Sequence, residues 1–509
     1  TWLSPVHYSR AYAQMRRGQL GHRGYLVQFE PRLSSTAACA DEWVPIRPGS
    51  EEWVALGLGR IAVEEGLLDS MQYAGFYEGV SVPEVVEVSG VPAEELERLA
   101  RIFASVPRQV AIPGGTVAGQ RNGAAALSAV LALNQVAGQL GQPGGVYLPA
   151  ESTVAGFGVP PISAYADVQA LIADMDVGRV KLLLVHGANP AFDLPAASGF
   201  RQALANVPSV VSFSPTVDET AVQADLILPD HTNLEAWGYH VPSVADRALI
   251  SALQPVTRPL YDTRATVDVL LALARELGGA VSEELPWPNE VSFLREAVGA
   301  LNDGAAPAES FWAEWRRRGG LWPEVAETRS PVADQALDGP AAPAAQASEH
   351  DPAEYPYLLH VYPSLTLFDG RGANKTWLQE SPDPMTTVSW QTWIEINPAT
   401  AEVLGVQDND IVRIISPVGE VEAIVYVYGG VGEGTVGMPI GQGHENYGRF
   451  AMGHGSNPAK LLLPNVADYT GALTWSVTPV QVVPTGDSHD LARLESAEGM
   501  AFLSEAGEH

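Results

Sequence analysis

The side chains able to do chemistry sit in loops that follow apolar runs. Residues 180–185 are apolar apart from Lys181 and lead into His186-Gly187-Ala188-Asn189-Pro190. A loop at the carboxyl end of such a strand is where open α/β sheets hold ligands. His186 invites a general-base role, but a base needs a partner within hydrogen-bond reach. The sequence names none, so His186 reads as a loop or core histidine. Asp218-Glu219-Thr220-Ala221 follows the next strand, residues 210–214. Upstream, Pro48-Gly49-Ser50-Glu51 turns the chain into a helix; Ser50 can cap it, and Glu51 and Glu52 sit well in its first turn. Near the other end, His444, Asn446, Tyr447, Arg449 and His454 form a polar loop suited to a partner surface, although loops concentrate polar residues in any case. Cys39 is the single cysteine. One thiol makes neither an intrachain disulfide nor an iron–sulfur cluster, which takes about four cysteine ligands. Its run of small neighbours, residues 36–40, reads as a buried structural thiol. No catalytic residue and no metal-ligand set is assigned.

The elements that position these loops follow from period and punctuation. Helices are expected over residues 5–20, 51–65, 93–104, 122–140 and 267–277, with strands at 25–30, 109–113, 180–185 and 210–214. Asn397 is placed as an N-cap with Pro398 at the first helical position, and Gly405 stops the helix that residues 399–404 begin. Residues 411–415 form a β-branched run that reads as a strand largely buried on both faces, and residues 421–427 return after a turn.

With 509 residues the chain is too long for one core. Its formal charge of -31, from 29 basic and 60 acidic residues, argues against nucleic acid and suits a soluble surface or a basic partner such as a cationic cytochrome. No apolar run reaches the roughly 18 residues of a membrane span. Residues 330–354, with Pro340-Ala341-Ala342-Pro343-Ala344-Ala345, cannot bury a core and read as a linker. Residues 1–90 and 91–329 are expected as two α/β domains, 355–484 as a β-barrel, and 485–509 as an acidic tail.

Several phrases, in this order, resemble the molybdopterin oxidoreductases of the dimethyl-sulfoxide-reductase superfamily. They are Pro48-Gly49-Ser50-Glu51, Gly187-Ala188-Asn189-Pro190, Glu219-Thr220-Ala221 with Ala224-Asp225-Leu226-Ile227-Leu228-Pro229, and Asn397-Pro398 with Ala401, Leu404, Gly405, Asp410 and Val412. The resemblance implies a multi-domain α/β body with parallel sheets and a C-terminal six-stranded β-barrel. It also implies that Arg32, Glu51, Gly187, Asn189 and Asp218 correspond to contacts with the guanine nucleotide arms of a pterin cofactor. Glu51 stands where the family has Asp, one methylene further out. Residues 373–384 and 441–449 are similar to one branch, the molybdopterin-oxidoreductase-like iron–sulfur subunit of bacterial alternative complex III.

That branch implies a cofactor-free scaffold in a quinol:electron-acceptor oxidoreductase of the respiratory or photosynthetic chain. Iron–sulfur clusters are then expected in an adjoining segment. The expected partners are an iron–sulfur domain or subunit, a quinol-binding membrane subunit and c-type cytochrome subunits or another acceptor. The place is the periplasmic face of the bacterial inner membrane, without a direct span. The family's cysteine cluster and metal-ligand residue precede the position that aligns with Thr1. The alternative is a catalytic reductase of the polysulfide or thiosulfate type holding molybdenum bis-molybdopterin guanine dinucleotide, its N-terminal part lying outside these residues; Pro255, Pro259 and Tyr261 resemble that branch.

Overall fold

The computed structural model describes residues 5–17, 23–68, 71–147, 162–242, 249–302, 304, 306–322 and 350–494. The first unit is built on β1 (Val27–Glu30) and β2 (Glu42–Pro45), a parallel pair in which Phe29 stands beside Val44. Helices Glu51–Glu64, Ala93–Ser105 and Gly123–Val136 close on it. Leu56, Val85 and Leu96 reach zero exposure in their shared core. Gly59 is needed there, because a Cβ would lie 2.3 Å from the Tyr77 ring.

The strand expected at residues 109–113 does not form. The side-chain amide of Asn134 takes the place of a neighbouring strand: Ala111 N donates to its Oδ1 at 2.8 Å, and its Nδ2 donates to Ala111 O at 2.8 Å. The helix expected to run to residue 140 ends at Val136, with Gly138 at φ +69 turning the chain. Cys39 is exposed rather than buried, since it caps the surface turn Ser35–Ala38 at its C-terminal end.

The second unit is a parallel sheet in the order β3 (Leu183–Val185), β4 (Val210–Ser212), β5 (Leu226–Ile227). Helices Tyr165–Asp176 and Phe200–Leu204 cover one face. A small antiparallel sheet, β6 (Gly238–His240), β7 (Ile250–Leu253) and β8 (Gly320–Leu321), packs with Trp312 and Trp315 of helix Ala308–Arg318. Helix Thr266–Leu277 lies between β7 and β8 in the chain. The expected linker falls mostly outside the described residues.

The C-terminal strands are β9 (Tyr357–Pro363), β10 (Trp393–Ile396), β11 (Asp410–Ser416), β12 (Gly419–Val427), β13 (Thr435–Ile440) and β14 (Val477–Ser488). They close a barrel in the order β10-β12-β11-β14-β9-β13, which removes every free edge. Leu359, Val361, Ile394, Ile396, Val412, Ile414, Val425 and Met438 line its interior at zero exposure. Each such side chain contributes about 1.5–3 kcal/mol through burial. Asn397 caps helix Pro398–Leu404 by accepting from Ala399 N at 2.9 Å, and Gly405 ends it at φ +69.

β11 is not buried on both faces: Arg413 is exposed while Val412 and Ile414 point inward. β10, by contrast, is buried along its whole length, because on its outer face Arg32 of the first unit pairs with Glu395 and Val388 and Leu491 pack against Trp393. The chain also stays on the barrel beyond residue 484: His489 N donates to Asn409 O at 2.8 Å and Ala492 N to Gln391 Oε1 at 2.6 Å.

Candidate functional site

Two buried polar junctions join the α/β units to the barrel. The first forms because β10 places Glu395 outward, at zero exposure, where β1 delivers Arg32. Arg32 Nε donates to Glu395 Oε2 at 2.5 Å and Nη2 to Oε1 at 2.7 Å. Tyr362 donates its hydroxyl to Oε1 at 2.9 Å, and the guanidinium lies 4.0 Å from the Tyr362 ring centroid. Leu33 N donates to Gly430 O at 2.7 Å and Tyr428 to Leu33 O at 2.8 Å, so backbone bonds flank the ion pair. Burial holds the Tyr362 phenol well above its ordinary range. Burial first, and then the Arg32 charge, pushes His360 on β9 down to about 4.

The second junction gathers the loop after β3, the turn after β4 and the barrel loop around His444. Asn189 Nδ2 donates to Glu219 Oε2 at 2.7 Å, and its Oδ1 accepts from Thr220 N and Thr220 Oγ1 at 3.1 and 2.8 Å. Asp218 Oδ1 accepts from Thr220 N and Ala221 N at 3.0 and 2.7 Å, an Asx turn inside its own segment. Glu219 Oε1 accepts from Glu445 N and Asn446 N at 2.8 and 3.0 Å and lies 3.2 Å from His444 Nδ1. Burial by itself would raise the Glu219 pKa. His444, the Asn446 N–H and the Asn189 amide outweigh it and hold the carboxyl at about 2. The His444 imidazole stacks on Phe192 at 3.7 Å between centroids and on Tyr447 at 4.7 Å. Gly370 permits that stack, because a Cβ there would meet Phe192 at 2.7 Å and His444 at 2.9 Å.

The five residues singled out by resemblance separate as follows. Asn189 and Asp218 meet through the shared Thr220 N–H. Gly187, at φ +64, sits in the exposed loop beside them with open space around it. Arg32 belongs to the other junction. Glu51 accepts from Gln120 Nε2 at 2.7 Å within the first unit, and burial raises its pKa. His186 does have a partner: its Nε2 lies 2.8 Å from Asp230 Oδ2, and Asp230 is held in turn by Thr266 and His231 N. That carboxylate lies 44 residues on, after β5, too far along the chain for spacing to reveal it. Glu395 and Glu219 were the residues that sequence reasoning passed over as site members. A lone acid inside Trp393-Ile394-Glu395-Ile396 was the available signal for the first. Among the described residues no group of three or more His, Cys, Asp or Glu side chains is arranged to hold a metal, and no helix is long and apolar enough to cross a membrane.

Residues 2–276 match the family described as molybdopterin oxidoreductase, and residues 365–479 match the molydopterin dinucleotide binding domain. The chain is 31% identical over 504 residues to the menaquinone reductase molybdopterin-binding-like subunit of Nitratidesulfovibrio vulgaris, covering 94% of this chain and 68% of that protein. It is 25% identical over 581 residues to the arsenate respiratory reductase molybdopterin-containing subunit of Shewanella sp., covering 86% of this chain and 67% of that one. Acetylene hydratase from Pelobacter acetylenicus shares the fold, with a TM-score of 0.70 at 17% identity over 94% of this chain and 75% of that chain.

Proposed function

Because the chain belongs to the molybdopterin oxidoreductase family, we propose that it serves a quinol-linked oxidoreductase as a non-catalytic scaffold that holds no pterin. The similarity to a menaquinone reductase subunit supports the quinol link and partners in the membrane and in electron transfer. We assign the assembly to the alternative complex III type, at the periplasmic face of the inner membrane, with the iron–sulfur clusters in an adjoining segment or subunit.

The observation that carries the scaffold reading is the Arg32–Glu395 pair. A dinucleotide cofactor needs cations or N–H donors for its phosphates. Arg32 is the cation that resemblance assigns to it, yet both its Nε and Nη2 are engaged by a carboxylate at zero exposure. Asn189 and Glu51 are likewise hydrogen-bonded to protein groups, and Asp218 Oδ1 to its own turn. As arranged, these residues do not fit an extended dinucleotide. Arg32 instead ties the first unit to the barrel through Glu395, and Asn189 holds Glu219, which accepts from the barrel's Glu445 and Asn446 N–H groups.

The second reading, a catalytic molybdopterin guanine dinucleotide reductase, draws on the dinucleotide-binding-domain match and the arsenate reductase similarity. Elemental analysis of the native protein for molybdenum, tungsten and iron, with fluorescence detection of oxidised pterin, separates the two. The scaffold predicts neither molybdenum nor tungsten and no pterin, with iron in the parent assembly. Stoichiometric pterin with either metal would replace it by the catalytic reading.

A further inference from the structure

β7 ends at Leu253 and runs into a turn that carries a group of bare apolar side chains. Val256 is 76% exposed, Leu260 78% and Tyr261 78%, and Leu234 beside them 62%. One such residue on a surface is ordinary; a group of them on one turn marks a contact. The backbone laces them together. Val256 N and Thr257 N both donate to Leu234 O, at 2.9 and 3.2 Å, and Leu260 N donates to Glu235 Oε1 at 2.9 Å. Pro255 and Pro259 fix φ within the turn. The tip is thus ordered before it meets anything, and little ordering entropy opposes a contact. Around it the charge of the molecule reverses. Gln254 Nε2 donates to Arg316 O at 3.3 Å, which brings the basic end of helix Ala308–Arg318 alongside. Arg316 lies over the Trp312 ring and Arg318 over the Trp322 ring. Glu235 and Asp230 spend their carboxylate oxygens on protein donors, Thr232 and Leu260 N–H for the first, His186 and Thr266 for the second. Arg258, Arg264, Arg316, Arg317 and Arg318 then outnumber Asp262 and Glu314, on a chain whose formal charge is -31.

We propose that this tip is a membrane-contact surface that lies on an anionic phospholipid bilayer, with Leu234, Val256, Leu260 and Tyr261 at the boundary of headgroups and acyl chains and the arginines on the lipid phosphates. A surface of this kind takes its affinity from buried apolar area and from attraction of basic side chains to anionic lipid. Tyrosine suits headgroup depth, with one end apolar and the other wet, and arginine keeps its head at the phosphates while its stem follows the apolar surface. The same bilayer repels the acidic remainder of the molecule, so the patch also sets which way the molecule faces the membrane. The contact is one of lying on the bilayer, since no helix among the described residues is long and apolar enough to cross it. It does not depend on pterin content, so it stands or falls separately from the scaffold reading.

The test is co-flotation of the full-length polypeptide, free of other subunits, with phosphatidylcholine vesicles that contain phosphatidylglycerol, at low salt. Binding is expected there and should be about tenfold weaker on pure phosphatidylcholine. Arg258→Gln should weaken it about fivefold, and Leu260→Glu with Tyr261→Glu by about tenfold or more. Leu494→Glu, at a leucine 73% exposed on the barrel, should leave it unchanged. No flotation with phosphatidylglycerol, or equal flotation of the Leu260→Glu, Tyr261→Glu variant, would overturn the proposal. A nitrobenzoxadiazole label on Leu260→Cys in a Cys39→Ser background reads the tip directly. It should be open to iodide quenching in solution and shielded once phosphatidylglycerol vesicles are added. Shielding already present in solution would show that protein covers the tip, and quenching unchanged by vesicles would show that it stays in water; either result refutes the contact.

Discussion

Arg32 and Glu395 are each costly alone in the interior and tolerable only together. Arg32→Ala should therefore destabilise the protein by about 3–5 kcal/mol, because it leaves a carboxylate unpaired at zero exposure. Arg32→Met with Glu395→Met should recover most of that loss, since an apolar pair of similar volume avoids the desolvation of both charges. Urea unfolding midpoints of the two variants check this, and a wild-type midpoint for Arg32→Ala would remove the lock from the account. Gly443 is a backbone requirement of the second junction. At φ +90, a Cβ would lie 2.2 Å from Asn457 N. Gly443→Ala should cost about 1–3 kcal/mol from the conformation alone, read in the same assay.

At the scale of elements, each junction sets a pH response of its own. Glu219 is held at about 2 against an ordinary 4.5. Its contribution is present above 4.5 and disappears as pH falls toward 2, because the unfolded chain takes up the proton first. Glu219→Gln should flatten the stability profile in that window. His360 is a buried imidazole on β9 held at about 4 against an ordinary 6.5. The unfolded state again binds the proton more readily, so stability is full above 6.5 and falls as pH drops from 6.5 to 4. His360→Gln should remove that slope while leaving the Glu219 window intact. Thermal unfolding at closely spaced pH values distinguishes the two, and a single slope lost in both variants would show that the junctions do not act separately.

Across the whole molecule, the formal charge of -31 bears on partner encounter rather than on fold. If a basic electron-transfer protein is the acceptor, its association rate should fall steeply as salt is raised from about 50 to 500 mM, with less effect on dissociation. Stopped-flow mixing with a cationic c-type cytochrome measures this. A salt-independent rate would assign the charge to solubility alone.

Much of the architecture was legible because it rests on local signals. The Asn397-Pro398 start and Gly405 stop of a barrel helix, the acids opening helix Glu51–Glu64 and the β-branched runs act within a few residues, where propensity and capping decide. The candidate site was legible only as a set of phrases. Whether a strand forms at residues 109–113 depended on a neighbour, and the Asn134 side chain took that place. Whether His186 has a carboxylate depended on a loop 44 residues away, and whether Arg32 faces a ligand or Glu395 depended on a strand 363 residues away. The sequence by itself determined the locally signalled elements, their order and the net acidic charge. Only the tertiary structure decided which charges became each other's partners, because a buried charge is settled by whatever packing brings within about 3 Å, and no sequence period reaches that far.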